Sequence, residues 1–240
     1  MEPASQGCLM DELTEIGLKC DTDKAYWHKY TEFYQQHFNP FRYKHLNILE
    51  IGIQKGNSIR MLHEYFPNSI IYCIDIRDEC VDNAKNIDRV KPYNCDQSKK
   101  QDLLKIANEA KNFDIIIDDG SHFPKHQIKS IDVLFPFLNN GGLYICEDIH
   151  TSIKMENYQS VIYYLKNYLH YKSAYISEEG HDYFKNNTKK INFYMRDSIP
   201  LKCWKCKTDI IDDIKKCSCG IAFLPNETDS MTCIIEKDRQ

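Results

Sequence analysis

Two short acidic blocks hold the residues of this chain most suited to chemistry. Asp118-Asp119-Gly120-Ser121-His122 and Glu147-Asp148-Ile149-His150 each follow an apolar run. Carboxylates and a histidine at the exits of two neighbouring strands can hold a divalent cation beside a base. Upstream, Ile48-Leu49-Glu50-Ile51-Gly52-Ile53-Gln54-Lys55-Gly56-Asn57-Ser58 reads as an apolar strand turning through glycines into a helix, and a second apolar run ends at Asp75. An open α/β sheet usually holds a nucleoside-bearing cofactor in this way. The loop is too glycine-poor for a pyrophosphate cradle and lacks the Lys-Ser/Thr pair of a phosphate loop, so a dinucleotide is not expected. Gly52 and Gly56 still permit close backbone approach, and Asp75 can accept hydrogen bonds from both hydroxyls of a ribose.

A third group has the character of a metal site. Cys203-x2-Cys206 is followed after ten residues by Cys217-x-Cys219, two close thiolate pairs that suit a tetrahedral structural zinc ion. Cys233 or His181 could substitute as a ligand, and the reading without a metal is a set of buried free thiols. Four thiolates leave no open coordination position, so this knuckle is expected to be structural and remote from catalysis.

The elements that must position these groups alternate. Strand patterns at 46–52, 69–76, 92–95, 113–118 and 142–147 are interleaved with helix patterns at 57–65, 78–86, 99–110 and 124–138. This predicts a parallel sheet with helices on both faces and ligands at the carboxyl ends of its strands. Glu50, Asp75, Asp96, Asp118, Asp119, Glu147 and Asp148 all fall at those ends. Residues 8–38 read as helical, with an aromatic face from Tyr26 to Phe38 that either packs on the main domain or covers a substrate. A helix over 156–171 and strands at 191–195 and 231–236 complete the pattern. The expected organisation is a helical segment or lid at 1–40, an α/β core at 41–200, a cysteine knuckle at 201–222 and a last core strand at 223–240.

With 240 residues and 42% hydrophobic content the chain can bury one sizeable core. A net charge of −4 with scattered lysines gives no attraction to a polyanion, which disfavours nucleic-acid partners. No apolar stretch approaches the ~20 residues of a membrane span, and no basic-then-apolar leader opens the chain, so a cytoplasmic protein with no membrane partner is expected. Eleven cysteines, an odd number, then read as reduced thiols with a metal cluster and not as a disulfide scaffold.

In these motifs the chain resembles class I S-adenosylmethionine-dependent methyltransferases, in particular the macrolide-sugar O-methyltransferases of the mycinamicin and macrocin type. The resemblance runs from Asp23-Lys24 with His28 and Tyr30 through Leu49-Glu50-Ile51-Gly52, Tyr65-Phe66-Pro67, Ile74-Asp75-Ile76 and Asp96-Gln97-Ser98. It continues through Phe113 to His122, Gly141-Gly142-Leu143-Tyr144, and Glu147-Asp148-Ile149-His150-Thr151-Ser152, covering most of 22–195. It implies a Rossmann-like, mostly parallel seven-stranded sheet. A magnesium ion would sit on Asp119, Glu147 and Asp148 with His122 as base, His150 and His126 being its rivals. For S-adenosylmethionine it implies Glu50 and Gly52 near the amino-acid end, Asp75 on the ribose, Asp96 and Gln97 near the adenine, and Asp118 near the methionine moiety. The implied activity is Mg²⁺-assisted methylation of a hydroxyl on a sugar, whether nucleotide-sugar, glycan or glycoside. A catechol-like small molecule presents similar vicinal hydroxyls and is the alternative acceptor. An RNA-directed methyltransferase and a zinc-knuckle interaction module are readings of another class. The knuckle lies outside the resemblance, and the sequence leaves homo-oligomerisation open.

Overall fold

Short aliphatic runs bounded by turns form the centre of the chain. The computed structural model describes residues 10–152, 160–166, 178–196, 200–210, 217, 219 and 230–239. Its strands are β1 (Asn47–Ile51), β2 (Ile70–Asp75), β3 (Val90–Asn94), β4 (Phe113–Asp118), β5 (Leu138–Cys146), β6 (Thr188–Met195) and β7 (Met231–Lys237). They form one seven-stranded sheet in the order β3-β2-β1-β4-β5-β7-β6. The first five are parallel, and β7 joins β5 and β6 antiparallel, so the expected mostly parallel sheet is present.

The helices are α1 (Glu12–Lys19), α2 (Asp23–Tyr26), α3 (Tyr30–Phe38), α4 (Asn57–Tyr65), α5 (Asp78–Asp82), α6 (Lys100–Ala110), α7 (Pro124–Leu134), α8 (Val161–Lys166) and α9 (Glu178–Asn187). Alternation along the strands divides the core between the two faces of the sheet. Leu49, Tyr72, Ile74 and Ile116 pack with Leu103 and Ile106 of α6 and Ile128 and Ile131 of α7. Ile48, Ile71 and Ile115 pack with Leu13 of α1, Tyr34 and Phe38 of α3, and Ile59 and Leu62 of α4. The N-terminal aromatic helix is therefore a layer of the core.

Three sequence expectations change. From Glu12 onward the run expected to be helical over 8–38, with its aromatic segment from Tyr26, is three short helices, because Asp21 and Lys29 take left-handed backbone at φ 55° and 56°. Asp11 starts the first of them by accepting the Thr14 amide at 2.9 Å. The helix at 124–138 stops at Leu134, where Phe135-Pro136-Phe137 forms a 3₁₀ turn, and β5 then begins at Leu138. Helix α9 has a largely polar sequence that gave no periodic signal, and only 161–166 of the helix expected at 156–171 is described.

The chain leaves β1 toward β2 and β3 on one side, then returns to β4 and β5 on the other. This places a topological switch point between β1 and β4, the place where open α/β sheets bind ligands. Beyond the strand ends the loops stay tied: Gly52 N–H donates to Ile74 O at 2.8 Å, Asp119 N–H to Ile51 O at 3.0 Å, and Glu147 N–H to Asp118 O at 2.9 Å. At Gly52 (φ 99°) a side chain would collide with the Asp119 carbonyl, so this close approach requires glycine. Gly56, at φ 75°, is the residue from which α4 starts.

Candidate active site

Two adjoining cavities open at the carboxyl ends of β1, β2 and β4. The smaller, of about 260 Å³, is lined by Ile51, Ile74, Ile76, Cys95, Asp96, Gln97, Ser121 and His126. It has an apolar floor with a few polar groups at its edge, as a flat heteroaromatic ring requires. The larger, of about 440 Å³, runs along Gly52 to Ser58 toward Asp119, His122, Glu147 and Asp148. Gly52, Asp75, Arg77 and Gly120 belong to both walls, so one ligand could span them.

Asp75 stands at the junction. Its Oδ2 accepts the amides of Ile53 at 3.0 Å and Gln54 at 3.2 Å, and its Oδ1 accepts the amide of Arg77 at 3.0 Å. Burial alone would raise its pKa; the Arg77, Ile53 and Gln54 amides outweigh burial and hold the carboxyl below its usual value. The carboxylate thus shapes the loop as well as facing the cavity.

The acidic cluster is organised around Lys24, which the sequence reading named at the start of the resemblance without giving it a role. Its ammonium, 1% exposed, bonds Asp119 and lies 2.7 Å from Glu147 Oε2 and 3.5 Å from Glu50 Oε1. Burial works against this charge, but Asp119, Glu147 and Glu50 hold its pKa well above the ordinary value. Glu50 is fully buried, and burial lifts it to about 7 although Lys24 opposes the shift. Two tyrosine hydroxyls complete the support: Tyr34 donates to Glu147 Oε1 at 2.8 Å and Tyr30 to Asp148 Oδ1 at 2.7 Å. Aromatic periodicity placed both on a helix face that packs on the main domain or covers a substrate, and gave no sign of what their hydroxyls do.

One ligand atom each of Asp119, His122 and Asp148 lies within 4.8 Å of the others. His122 Nε2 is 3.6 Å from Asp148 Oδ2 and 3.9 Å from Asp119 Oδ1. His122 and Asp148 both have positive φ, 55° and 52°, and Thr151 bridges their loops by donating to His122 O at 2.9 Å. Such backbone persists only where neighbours enforce it, and here it turns both side chains toward one point. For Asp148, burial would raise the pKa, but His28, His122 and the Tyr30 hydroxyl bring it below the usual range. Burial pushes the Glu147 carboxyl well above its ordinary value and raises Asp119, although Lys24 opposes both shifts; the oxygens of Asp119 and Asp148 suit a hard divalent cation. Glu147, the third expected ligand, is turned instead to Lys24 and Tyr34.

The other expected site residues separate. Gly52, Asp75, Asp96 and Gln97 line the cavities, whereas Glu50, Gly56 and Asp118 line neither. Asp118 is fully buried, taking the Gln97 amide at 2.6 Å and the Tyr144 hydroxyl at 3.3 Å, so it supports Gln97 from below. Burial raises its pKa to about 6. His150 Nδ1 is 3.9 Å from Asp148 Oδ1 but outside the cavity lining, and His126 bonds Ser121 Oγ at 2.9 Å on the wall of the smaller cavity.

No protein-family model matches the chain. Among curated proteins it is 37% identical over 156 residues to an 8-demethyl-8-alpha-L-rhamnosyl tetracenomycin-C 2'-O-methyltransferase of Streptomyces olivaceus, covering 62% of this chain and 40% of that protein. It is 35% identical over 158 residues to the mycinamicin VI 2''-O-methyltransferase of Micromonospora griseorubida, covering 62% of this chain and 39% of that one. The structure of the MycE methyltransferase of the mycinamycin pathway, in complex with Mg, SAH and mycinamycin VI, superposes with a TM-score of 0.70 at 25% identity, over 96% of this chain and 56% of that chain. The chain is similar in sequence and in fold to these O-methyltransferases. It spans about 40% of the length of the curated relatives it matches.

The cysteine segment is not remote from the site, contrary to expectation. The four sulfurs lie within 4.8 Å of one another, with Cys203 to Cys219 at 3.5 Å and Cys206 to Cys217 at 3.2 Å. The Thr208 hydroxyl and amide draw the Cys206 thiol down to about 6. Cys203 and Cys217 pack on Tyr26 and Trp27, while Trp204 and Lys207 reach the larger cavity. Cys233 is instead on β7, paired with Cys146 of β5, and the side chain of His181 lies outside the described residues. Among the described residues no cysteine forms a disulfide. Among the described residues no helix is long and apolar enough to cross a membrane.

Proposed function

We propose that the protein transfers a methyl group from S-adenosylmethionine to a hydroxyl of a sugar carried by a glycoside, in a reaction assisted by Mg²⁺. The observation that carries this reading is the meeting of Asp119, His122 and Asp148 on the wall of a cavity continuous with a nucleoside-sized pocket. Two relatives are by their names O-methyltransferases of rhamnosyl tetracenomycin-C compounds, at 2' and at 3', which supports a deoxyhexose such as rhamnose as acceptor.

Asp119 and Asp148 would hold the ion, with Glu147 joining if it exchanges Lys24 or Tyr34 for the metal. A hard cation there supplies Lewis acidity that lowers the pKa of a coordinated hydroxyl. His122 Nε2 faces the same point and takes the hydroxyl proton. The freed oxygen attacks the sulfonium methyl in line; the new C–O bond forms as the C–S bond breaks, and the thioether leaves neutral. Much of the rate comes from the two cavities fixing this alignment. Asp96 and Gln97 would hold the adenine, and Asp75 the ribose hydroxyls, on the wall of the smaller cavity.

Calorimetric titration with S-adenosylhomocysteine tests the donor assignment. The wild-type protein is expected to bind it. Asp75→Ala is expected to bind about ten- to a hundredfold more weakly, because a pair of hydrogen bonds to a charged group is worth about 1.5–3 kcal/mol. Wild-type protein that fails to bind at millimolar concentration would overturn the enzymatic reading, and equal affinity in the folded variant would remove Asp75 from the ribose.

Cys203, Cys206, Cys217 and Cys219 hold one structural Zn²⁺. Thiolates about 2.3 Å from a tetrahedral ion stand about 3.8 Å apart, close to the spacing of these sulfurs. Elemental analysis of protein purified without chelator is expected to find one zinc per chain; none would refute the site. Cys203→Ser is expected to lose the ion and to open the knuckle to proteolysis, since Cys203 is fully buried against Tyr26 and Trp27.

A further inference from the structure

Two residues from the first half of the knuckle, Trp204 and Lys207, line the larger cavity. Leu201 and Lys202 amides donate to Tyr26 O at 2.7 and 3.3 Å, tying the segment to α2. A tight turn follows, in which Cys203 N–H donates to Thr208 O and Lys207 N–H to Cys203 O, both at 2.9 Å. Lys207 has φ 62°, and its ammonium bonds the Tyr26 hydroxyl and lies 3.2 Å from Asp21 Oδ1. Asp21 O accepts Asn57 Nδ2 at 2.8 Å, in the first turn of α4. The knuckle is thereby linked to the loop that carries Gly52 to Ser58. Trp204 is half exposed.

With the adenine in the smaller cavity and the ribose at Asp75, the amino-acid end of the donor must extend into the larger one, along Gly52 to Ser58. That end is a zwitterion and calls for a cation facing its carboxylate and acids facing its ammonium. The cationic side chains of this cavity are Lys55, Arg77 and Lys207. Arg77 lies 3.5 Å from Asp75 at the ribose end, and Lys55 is exposed on the loop. Lys207 is held at Asp21 and shares this cavity with Asn57, Ser58 and Asp23.

We propose that the metal-bound knuckle closes the donor site, Lys207 receiving the α-carboxylate of S-adenosylmethionine and Trp204 covering its aliphatic arm. This rests on the donor reading above and makes zinc a condition of donor affinity as well as of local structure.

The test titrates zinc-loaded wild type, Lys207→Met, Lys207→Arg and Cys206→Ser with S-adenosylhomocysteine and with methylthioadenosine, which shares the nucleoside and thioether but lacks the amino-acid end. Lys207→Met, retaining its zinc, is expected to weaken S-adenosylhomocysteine about tenfold or more and to leave methylthioadenosine within about twofold. Lys207→Arg should recover part of the loss, and Cys206→Ser should reproduce the selective defect. Unchanged S-adenosylhomocysteine affinity in Lys207→Met, or an equal loss for both ligands, would overturn the inference while leaving the enzymatic reading intact. Wild-type protein that binds neither ligand would overturn the donor reading itself, and this inference with it.

Discussion

Replacing His122 with alanine is expected to lower turnover by about 10²–10⁴-fold, the usual contribution of a positioned general base. Its Nε2 faces Asp119 and Asp148, and its left-handed backbone is fixed by the bond from Thr151. The side chain acts on the acceptor hydroxyl and not on the donor, so S-adenosylhomocysteine affinity should remain close to that of wild type. The comparison is His150→Ala, for which a small effect is expected, since His150 touches Asp148 from outside the cavity. Steady-state rates of both variants decide the matter. A larger loss in His150→Ala would show that His150 is the base.

The second large effect concerns Lys24. Removing one partner of a buried charge cluster leaves the others uncompensated, at a cost of about 3–5 kcal/mol. Lys24→Met preserves the length of the side chain and deletes the ammonium that neutralises Asp119, Glu147 and Glu50. At roughly 2–4 °C per kcal/mol for a chain of this size, the melting temperature should fall by about 6–20 °C. Mg²⁺ should restore part of the loss, because a cation at Asp119 and Asp148 reduces the same repulsion. A melting curve unchanged from wild type would show that the carboxylates take up protons without Lys24 and that it does not organise the cluster.

Features carried by local pattern were legible in the sequence. Aliphatic runs ending in Asp75, Asp118 and Cys146-Glu147 announced parallel strands, and their acidic exits announced a site at the carboxyl edge. Features that depend on distant partners were not. Lys24 and Glu147 are 123 positions apart and meet only when α2 lies across the ends of β4 and β5. Asp118 and Asp119 are neighbours, but strand alternation sends the first into the core toward Gln97 and Tyr144 and the second toward the cavity. Seen as a motif, the pair gave no means of telling them apart. Four cysteines at metal-binding spacing identified the knuckle, while its place beside the site depends on the bonds from Leu201 and Lys202 to Tyr26.

The most direct measurement of the central claim is mass-resolved methyl transfer from S-adenosylmethionine. The full chain would be offered a rhamnosyl glycoside with free vicinal hydroxyls, a catechol and an RNA, each with EDTA or with Mg²⁺. The glycoside is expected to gain one methyl group on a sugar oxygen, with EDTA abolishing the product and added Mg²⁺ restoring it. Methylation of the catechol or the RNA in preference to every glycoside, or an undiminished rate after exhaustive EDTA treatment, would contradict it.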